Sequence, residues 1–225
     1  MQKQSSFFES LISVPHRTPF FLPKLFPSLT WRIQNERKEL YLTFDDGPVP
    51  GPTEFVLDTL ASRNIKATFF CIGDNIRKHP EVFKKIIVQG HCVGNHTFHH
   101  LNGWKTNSQK YSENIMLCNE EISKHKPTIN SQRPITLFRP PYGRITKKQI
   151  QSLSDYKIIM WDVLSVDYNK HLSPEKCLGN TIRATRSGSI IVFHDSYKAE
   201  KNLTYALPAF IDHFLAQGFT FHTLQ

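Results

Sequence analysis

From residue 39 to the end of the chain, segments with a strand pattern alternate with segments with a helix pattern. No other feature narrows the fold as much. Glu39–Phe44, Ala67–Phe70, His91–Gly94, Thr136–Phe138, Ile158–Met160, Ser189–Phe193 and Phe219–His222 read as strands. Between them, Thr53–Ser62 carries Phe55, Val56, Leu57 and Leu60 at helical spacing, and Asn75–Gln89 reads as one helix that Gly90 stops. Ser108–Lys124 is a long polar helix ended by Lys126-Pro127. Thr146–Ser152, Pro174–Thr185 and Leu203–Ala216 supply the remaining helices. Parallel neighbours need a crossover, and a helix is the usual one, so this succession builds a parallel sheet. Seven or eight alternations place the chain in the α/β class, with the sheet either closed into a barrel or doubly wound.

The 225 residues fit one such domain over 39–225, preceded by a distinct extension over 1–38. In the extension Pro15, Pro19, Pro23 and Pro27 recur every four residues and prevent a regular helix. Phe20, Phe21, Leu22, Leu25, Phe26 and Trp31 are interleaved with them, so the extension is expected to pack across the bottom of the domain. The balance of 39% hydrophobic and 21% charged residues is that of a folded chain and argues against disorder. Lys+Arg 28 against Asp+Glu 19 gives a formal charge of +9, yet no basic run dominates, so nucleic acid is not an expected partner. The four cysteines form no CxxC pair, which argues against structural zinc or a redox dithiol and for buried free thiols. Glu9 interrupts the only candidate leader, and no apolar run is long enough to cross a bilayer, so the default expectation is a cytoplasmic chain without a transmembrane segment.

In a parallel barrel, the residues just after each strand meet at one rim. The first strand is followed by Asp45-Asp46-Gly47-Pro48. Adjacent side chains at a strand end diverge, so one carboxylate can bind a metal while the other stays free. The third strand leads to His96 and His100, whose i, i+4 spacing places both imidazoles on one face of a helical turn. His99, at i, i+3 from His96, competes for the same role. One aspartate and two histidines make the three-ligand set of a catalytic zinc site, with a position left open. The fourth strand leads to Arg139-Pro140-Pro141-Tyr142, a stiff loop that can present a backbone N–H to a developing oxyanion. Asp162 and Asp167 follow the fifth strand. His194 leaves the apolar strand Ile190–Phe193 into the mouth, where it can act as a general acid.

Taken together, these residues resemble the polysaccharide deacetylase (NodB-homology) family, carbohydrate esterase family four, from about Leu40 to the C-terminus. The resemblance implies an irregular (β/α)7–8 barrel of mostly parallel strands with outer helices. It implies that Asp45 is the general base and that Asp46, His96 and His100 hold a divalent metal, zinc before cobalt or another ion. Arg139 would orient the base, with Pro140 and Pro141 shaping its loop. The Tyr142 N–H would bind the oxyanion, and His194 would be the general acid. The implied substrate is an N-acetylated amino sugar in a poly- or oligosaccharide, chitin-like or peptidoglycan-like, that releases acetate.

One window departs from the family pattern. Leu164 stands where the family usually has the acid that engages the arginine, and Tyr168 stands where it has Trp. Asp162 or Asp167 is therefore expected to anchor Arg139 instead. The alternatives are a metal-dependent deacylase of another small N-acyl or O-acyl compound, and a carbohydrate-binding barrel without catalysis. The intact set Asp45, Asp46, His96, His100 and His194 argues against the second.

Overall fold

In the computed structural model, strand β1 (Glu39–Asp45) is central, and its residue alternation sets up both layers of the core. Leu40, Leu42 and Phe44 face the helix-covered side, where they pack with Val56, Leu57, Phe69, Phe193 and Phe210. Tyr41 faces the opposite side, against Phe70, Ile159 and Ile190. The structure describes residues 15–34, 37–125 and 137–224. Readings placed on residues 1–14 and 126–136 lie outside the described residues. They include the Glu9 interruption, the Lys126-Pro127 stop and the first residue of the strand expected at Thr136.

The other strands are β2 (Thr68–Cys71), β3 (Cys92–Asn95), β4 (Leu137–Phe138), β5 (Lys157–Ile158), β6 (Val163–Leu164), β7 (Ile190–His194) and β8 (Thr220–Phe221). They pair in the order β5-β4-β3-β2-β1-β7-β6, all parallel, with β8 beside the start of β1. β5 and β6 are the two edges of this order yet follow each other directly in the chain, so the sheet is curled into a partial barrel. The helices are α1 (Leu22–Leu25), α2 (Pro52–Ala61), α3 (Gly73–Lys78), α4 (Pro80–Val88), α5 (Ser108–Lys124), α6 (Lys147–Ser152), α7 (Pro174–Ala184) and α8 (Glu200–Ala216).

Four local expectations need correction. In the extension Pro23 sits in the first turn of the short helix α1, where a proline is tolerated, so the prolines there do not prevent a helix. The single helix expected over Asn75–Gln89 is two, because Pro80 disfavours helical geometry at His79, whose φ is −130°. β6 has no counterpart among the expected strands, being two residues long and without periodicity to read. The N-terminal segment lies in the seam between the sheet edges. Leu164 N–H donates to the His16 carbonyl at 2.9 Å and Thr18 N–H to the Asp162 carbonyl at 2.8 Å. On the other edge Thr30 N–H donates to the Ile158 carbonyl at 2.9 Å and Met160 N–H to the Thr30 carbonyl at 2.7 Å. Edge strands carry unpaired backbone groups, and this segment satisfies part of them. Cys71, Cys118 and Cys177 are buried thiols, and Cys92 is half-buried.

Candidate active site

Register brings the chemistry to one rim. Asp45 on β1 is paired with His194 on β7 and with Phe70 on β2, so the C-terminal strand ends lie side by side. Past Asp45 the chain turns sharply, with Asp46 at φ 80°, a conformation that Asp tolerates better than most residues. The turn is clamped from three sides. Asn75 Nδ2 donates to the Asp46 carbonyl at 2.7 Å, Gly47 N–H to Asp195 Oδ1 at 3.0 Å, and Asp195 N–H to the Asp45 carbonyl at 3.1 Å. Thr53 Oγ1 donates to the other Asp195 oxygen at 2.7 Å. Burial pushes the Asp195 carboxyl up to about 8, against the opposing bonds from Thr53 and Gly47.

Asp46, His96 and His100 each aim one ligand atom into a common space, all within 4.8 Å of one another. Asp46 Oδ1 is 3.6 Å from His96 Nε2 and 3.2 Å from His100 Nε2. His96 Nδ1 lies 2.7 Å from the Arg139 carbonyl. Because a carbonyl only accepts, Nδ1 carries the proton and the Nε2 lone pair points toward Asp46. The donor chemistry therefore suits a divalent transition metal: two imidazole nitrogens and one carboxylate oxygen. Burial lowers the His96 pKa to about 4, which favours the neutral ligand form, although the Asp45 and Asp46 charges oppose the shift. Burial also acts against ionisation of Asp46, but the His100 hydrogen bond and the neighbouring imidazoles hold its carboxyl well below the usual range.

The two histidines do not meet on a helical turn. Residues 96–100 form a loop in which Thr97 and His100 have φ of 62° and 54°. The loop is pinned by Asn114 on α5, whose side-chain oxygen accepts from Phe98 N–H and His99 N–H at 2.9 Å each. Asn114 Nδ2 donates to His99 Nδ1 at 2.8 Å, which turns His99 toward α5 and removes it as a competing ligand.

Arg139 is wholly buried. Its Nη1 donates to Asp45 Oδ1 at 2.7 Å and to Thr43 Oγ1 at 2.8 Å, and Nη2 donates to the Met160 carbonyl at 3.0 Å. The guanidinium also lies 4.1 Å from the Phe70 ring centroid. Neither substitute anchor engages it, which corrects that expectation. Asp162 instead takes Arg186 at 3.0 Å and Ser189 Oγ at 2.7 Å. Asp167 takes His194, whose Nδ1 is 2.7 Å from Oδ1 and whose backbone N–H donates to Oδ2 at 2.8 Å. Thr43 and two backbone carbonyls complete the shell of Arg139, and Leu164 joins an apolar cluster with Val166 and Val192. Burial alone would discharge His194. The Asp167 charge and hydrogen bond, aided by Asp46 and Asp45, push it up to about 9.

Pro140 and Pro141 open a tight turn, Pro141–Gly143, closed by Gly143 N–H to the Pro140 carbonyl at 3.0 Å. Tyr142, at φ 61°, swings its ring over His100 with centroids 4.5 Å apart. Sequence reasoning gave no role to Thr43, two residues before Asp45, or to Asp195, and it missed Asn75 and Asn114, which stand apart from every motif. Asp195 had one faint signal, as the residue that follows His194 at a strand end.

A ligand cluster flanked by an arginine-bound carboxylate and an aspartate-bound imidazole, at the C-terminal rim of a parallel sheet, is an arrangement suited to metal-assisted hydrolysis. The family model for polysaccharide deacetylase matches residues 32–161, more than half of the chain, and the chain belongs to that family. It is similar to two proteins of Bacillus cereus named peptidoglycan-N-acetylglucosamine deacetylase. One is 35% identical over 162 residues, covering 71% of this chain and 57% of that protein, so the chain spans little more than half of that relative's length. The other is 30% identical over 201 residues, covering 88% and 91%. Among solved structures, the Bc1960 peptidoglycan N-acetylglucosamine deacetylase superposes with a TM-score of 0.83 at 31% identity, covering 92% of this chain and 95% of that one. BA3943 of Bacillus anthracis, described as a CE4 family pseudoenzyme, has the same fold at a TM-score of 0.75 and 23% identity, covering 86% and 66%. Fold likeness therefore does not carry activity, and the side chains must.

Proposed function

We propose that the chain hydrolyses the N-acetyl group of N-acetylated amino sugars in a glycan, releasing acetate. One observation carries this reading: Asp46, His96 and His100 converge at the rim where Asp45 and His194 stand in register on neighbouring strands. The named activity of the Bacillus relatives favours a peptidoglycan-like glycan over chitin. Asp46, His96 and His100 would hold a divalent cation, with zinc favoured by the donor set and cobalt or another divalent ion next. When bound, such a cation supplies an acidified water and a polarised acetamide carbonyl.

The protein's own groups do the rest. Asp45, oriented by Arg139, which Thr43 helps to hold, takes the proton of the attacking water. The Tyr142 backbone N–H donates to the oxyanion from a turn stiffened by Pro140 and Pro141. His194, kept protonated by Asp167, delivers a proton to the departing nitrogen, and acetate and a free amine leave. The test is acetate release from peptidoglycan fragments and from chitin oligomers, with and without chelator, beside elemental analysis of the protein. Chelator-sensitive release supports the reading. Absence of release from every glycan overturns it, and binding without release favours a carbohydrate-binding barrel.

A further inference from the structure

Beside the rim lies a cavity of about 290 Å³ for which the hydrolytic steps have no use. The N-terminal segment forms its outer wall through Leu22, Phe26, Leu29 and Trp31, and Tyr142 and Trp161 form its inner wall. Tyr142 thus serves two spaces: its ring packs on His100 with centroids 4.5 Å apart, and the same residue lines the cavity. Whatever fills the cavity lies next to the ligand cluster, within reach of a group covalently joined to the reacting sugar.

The walls select the chemistry of the occupant. Of the five lining residues with polar side-chain atoms, three have them engaged by the protein itself, which leaves only Tyr142 and Trp161 to offer a polar atom to an occupant. Thr18 Oγ1 donates to the Trp161 carbonyl at 2.6 Å, Trp31 Nε1 to the Phe26 carbonyl at 3.2 Å, and Trp104 Nε1 to the Ile145 carbonyl at 3.1 Å. A sugar ring in this space would give up its bonds to water and find few replacements. A hydrocarbon chain gives up nothing and removes its own surface from water. The volume is that of about ten water molecules, enough for a chain of about ten heavy atoms. Leu164, at the position where this sequence departs from its family pattern, adds an apolar side chain to the lining.

The same N-terminal segment exposes an apolar tip. Phe20, Phe21 and Leu25 are 80%, 49% and 65% exposed, and Lys24 Nζ sits 5.9 Å from the Phe20 ring centroid. Bare aromatic and aliphatic side chains beside a lysine suit a lipid–water boundary, where the rings enter the apolar layer and the ammonium stays in the headgroups.

We propose that the cavity takes a hydrocarbon chain carried by the substrate, so that the preferred substrate is a lipid-linked N-acetylated amino sugar. This rests on the hydrolytic reading above and narrows its substrate class.

The experiment compares the methyl and octyl β-glycosides of N,N′-diacetylchitobiose, with the octyl compound kept monomeric. The octyl glycoside is expected to show a KM at least about tenfold lower at similar kcat, since each buried methylene contributes to binding. Leu22→Trp, and independently Ile145→Phe, narrow the cavity and are expected to erase that advantage while leaving the methyl glycoside kinetics unchanged. Equal KM values for the two glycosides, or an advantage that both variants retain, overturn the proposal. Calorimetric titration with octyl β-glucoside, which has no acetyl group, separates the two readings. If neither glycoside nor any peptidoglycan fragment releases acetate, the hydrolytic reading falls. Octyl glucoside binding that Leu22→Trp abolishes still supports the cavity assignment, and absence of binding overturns it.

Discussion

Arg139 donates to Asp45 at 2.7 Å with both side chains out of solvent, so the guanidinium after β4 and the carboxylate at the end of β1 act as one unit. Breaking a buried pair from one side leaves an uncompensated charge. Arg139→Met is expected to destabilise the fold by about 3–5 kcal/mol, read as a fall in the denaturation midpoint. Asp45→Asn keeps the size of the side chain but removes the base. Its kcat is expected to fall by about 10²–10⁴, with metal content by elemental analysis unchanged. Full activity in Asp45→Asn would remove the base assignment.

Asp46, His96 and His100 supply the whole ligand set that the described residues bring together at the rim. Asp46→Ala, His96→Ala and His100→Ala are each expected to lose stoichiometric metal in equilibrium dialysis, along with turnover. Because a bound ion stabilises only the state that binds it, chelation is expected to lower the thermal midpoint of the wild type and to leave these variants unmoved. His99→Ala is the control, since His99 faces Asn114, and it is expected to retain metal. A variant of His100 that keeps its metal would break the ligand assignment.

The legible parts of this site were those in which chemistry and local structure coincide in a few consecutive residues. Asp45-Asp46-Gly47-Pro48 ends a strand whose pattern is plain, so both its place and its turn could be read. The spacing of His96 and His100 selected the right pair on the wrong geometry. Their convergence depends on left-handed backbone at Thr97 and His100, which are not glycines and so give no signal. The anchor of Arg139 was misassigned because sequence proximity favoured Asp162 and Asp167. Their carboxylates are already committed, one to Arg186 and one to His194, while Thr43 and Asp45 reach Arg139 across the sheet. Such pairings follow from strand order, and two-residue strands such as β6 carry too little pattern to reveal it.

His194 gains its raised pKa against burial through Asp167, with help from Asp46 and Asp45. Its folded value of about 9 exceeds the ordinary 6.5, so its acid form persists through neutral pH and is lost as pH rises through about 9, while the stability it adds is complete below about 6.5 and is lost over the same rise. The basic limb of the rate profile is therefore expected below or near pH 9, and lower when a cation shares the Asp46 charge. In Asp167→Asn the desolvation prevails, and the limb is expected to move toward acid by at least about one pH unit. A profile that Asp167→Asn leaves in place would exclude His194 as the titrating acid.

Gly47 has no room for a side chain. A Cβ there would lie 1.9 Å from Asp195 Oδ2, whose carboxyl group holds the Gly47 N–H and the Thr53 hydroxyl. Gly47→Ala must displace Asp195 or the turn that carries Asp46, and is expected to destabilise the fold by about 1–3 kcal/mol. Because Asp46 moves with that turn, metal affinity is expected to fall together with stability. Asp195→Ala alone leaves Gly47 N–H without its acceptor, but in the double variant it also removes the collision. The Gly47→Ala/Asp195→Ala pair is therefore expected to lose less stability than the sum of the single variants, a coupling measured by a double-mutant cycle in urea. Strict additivity would mean that the two residues do not clash and that the clamp on the Asp46 turn lies elsewhere.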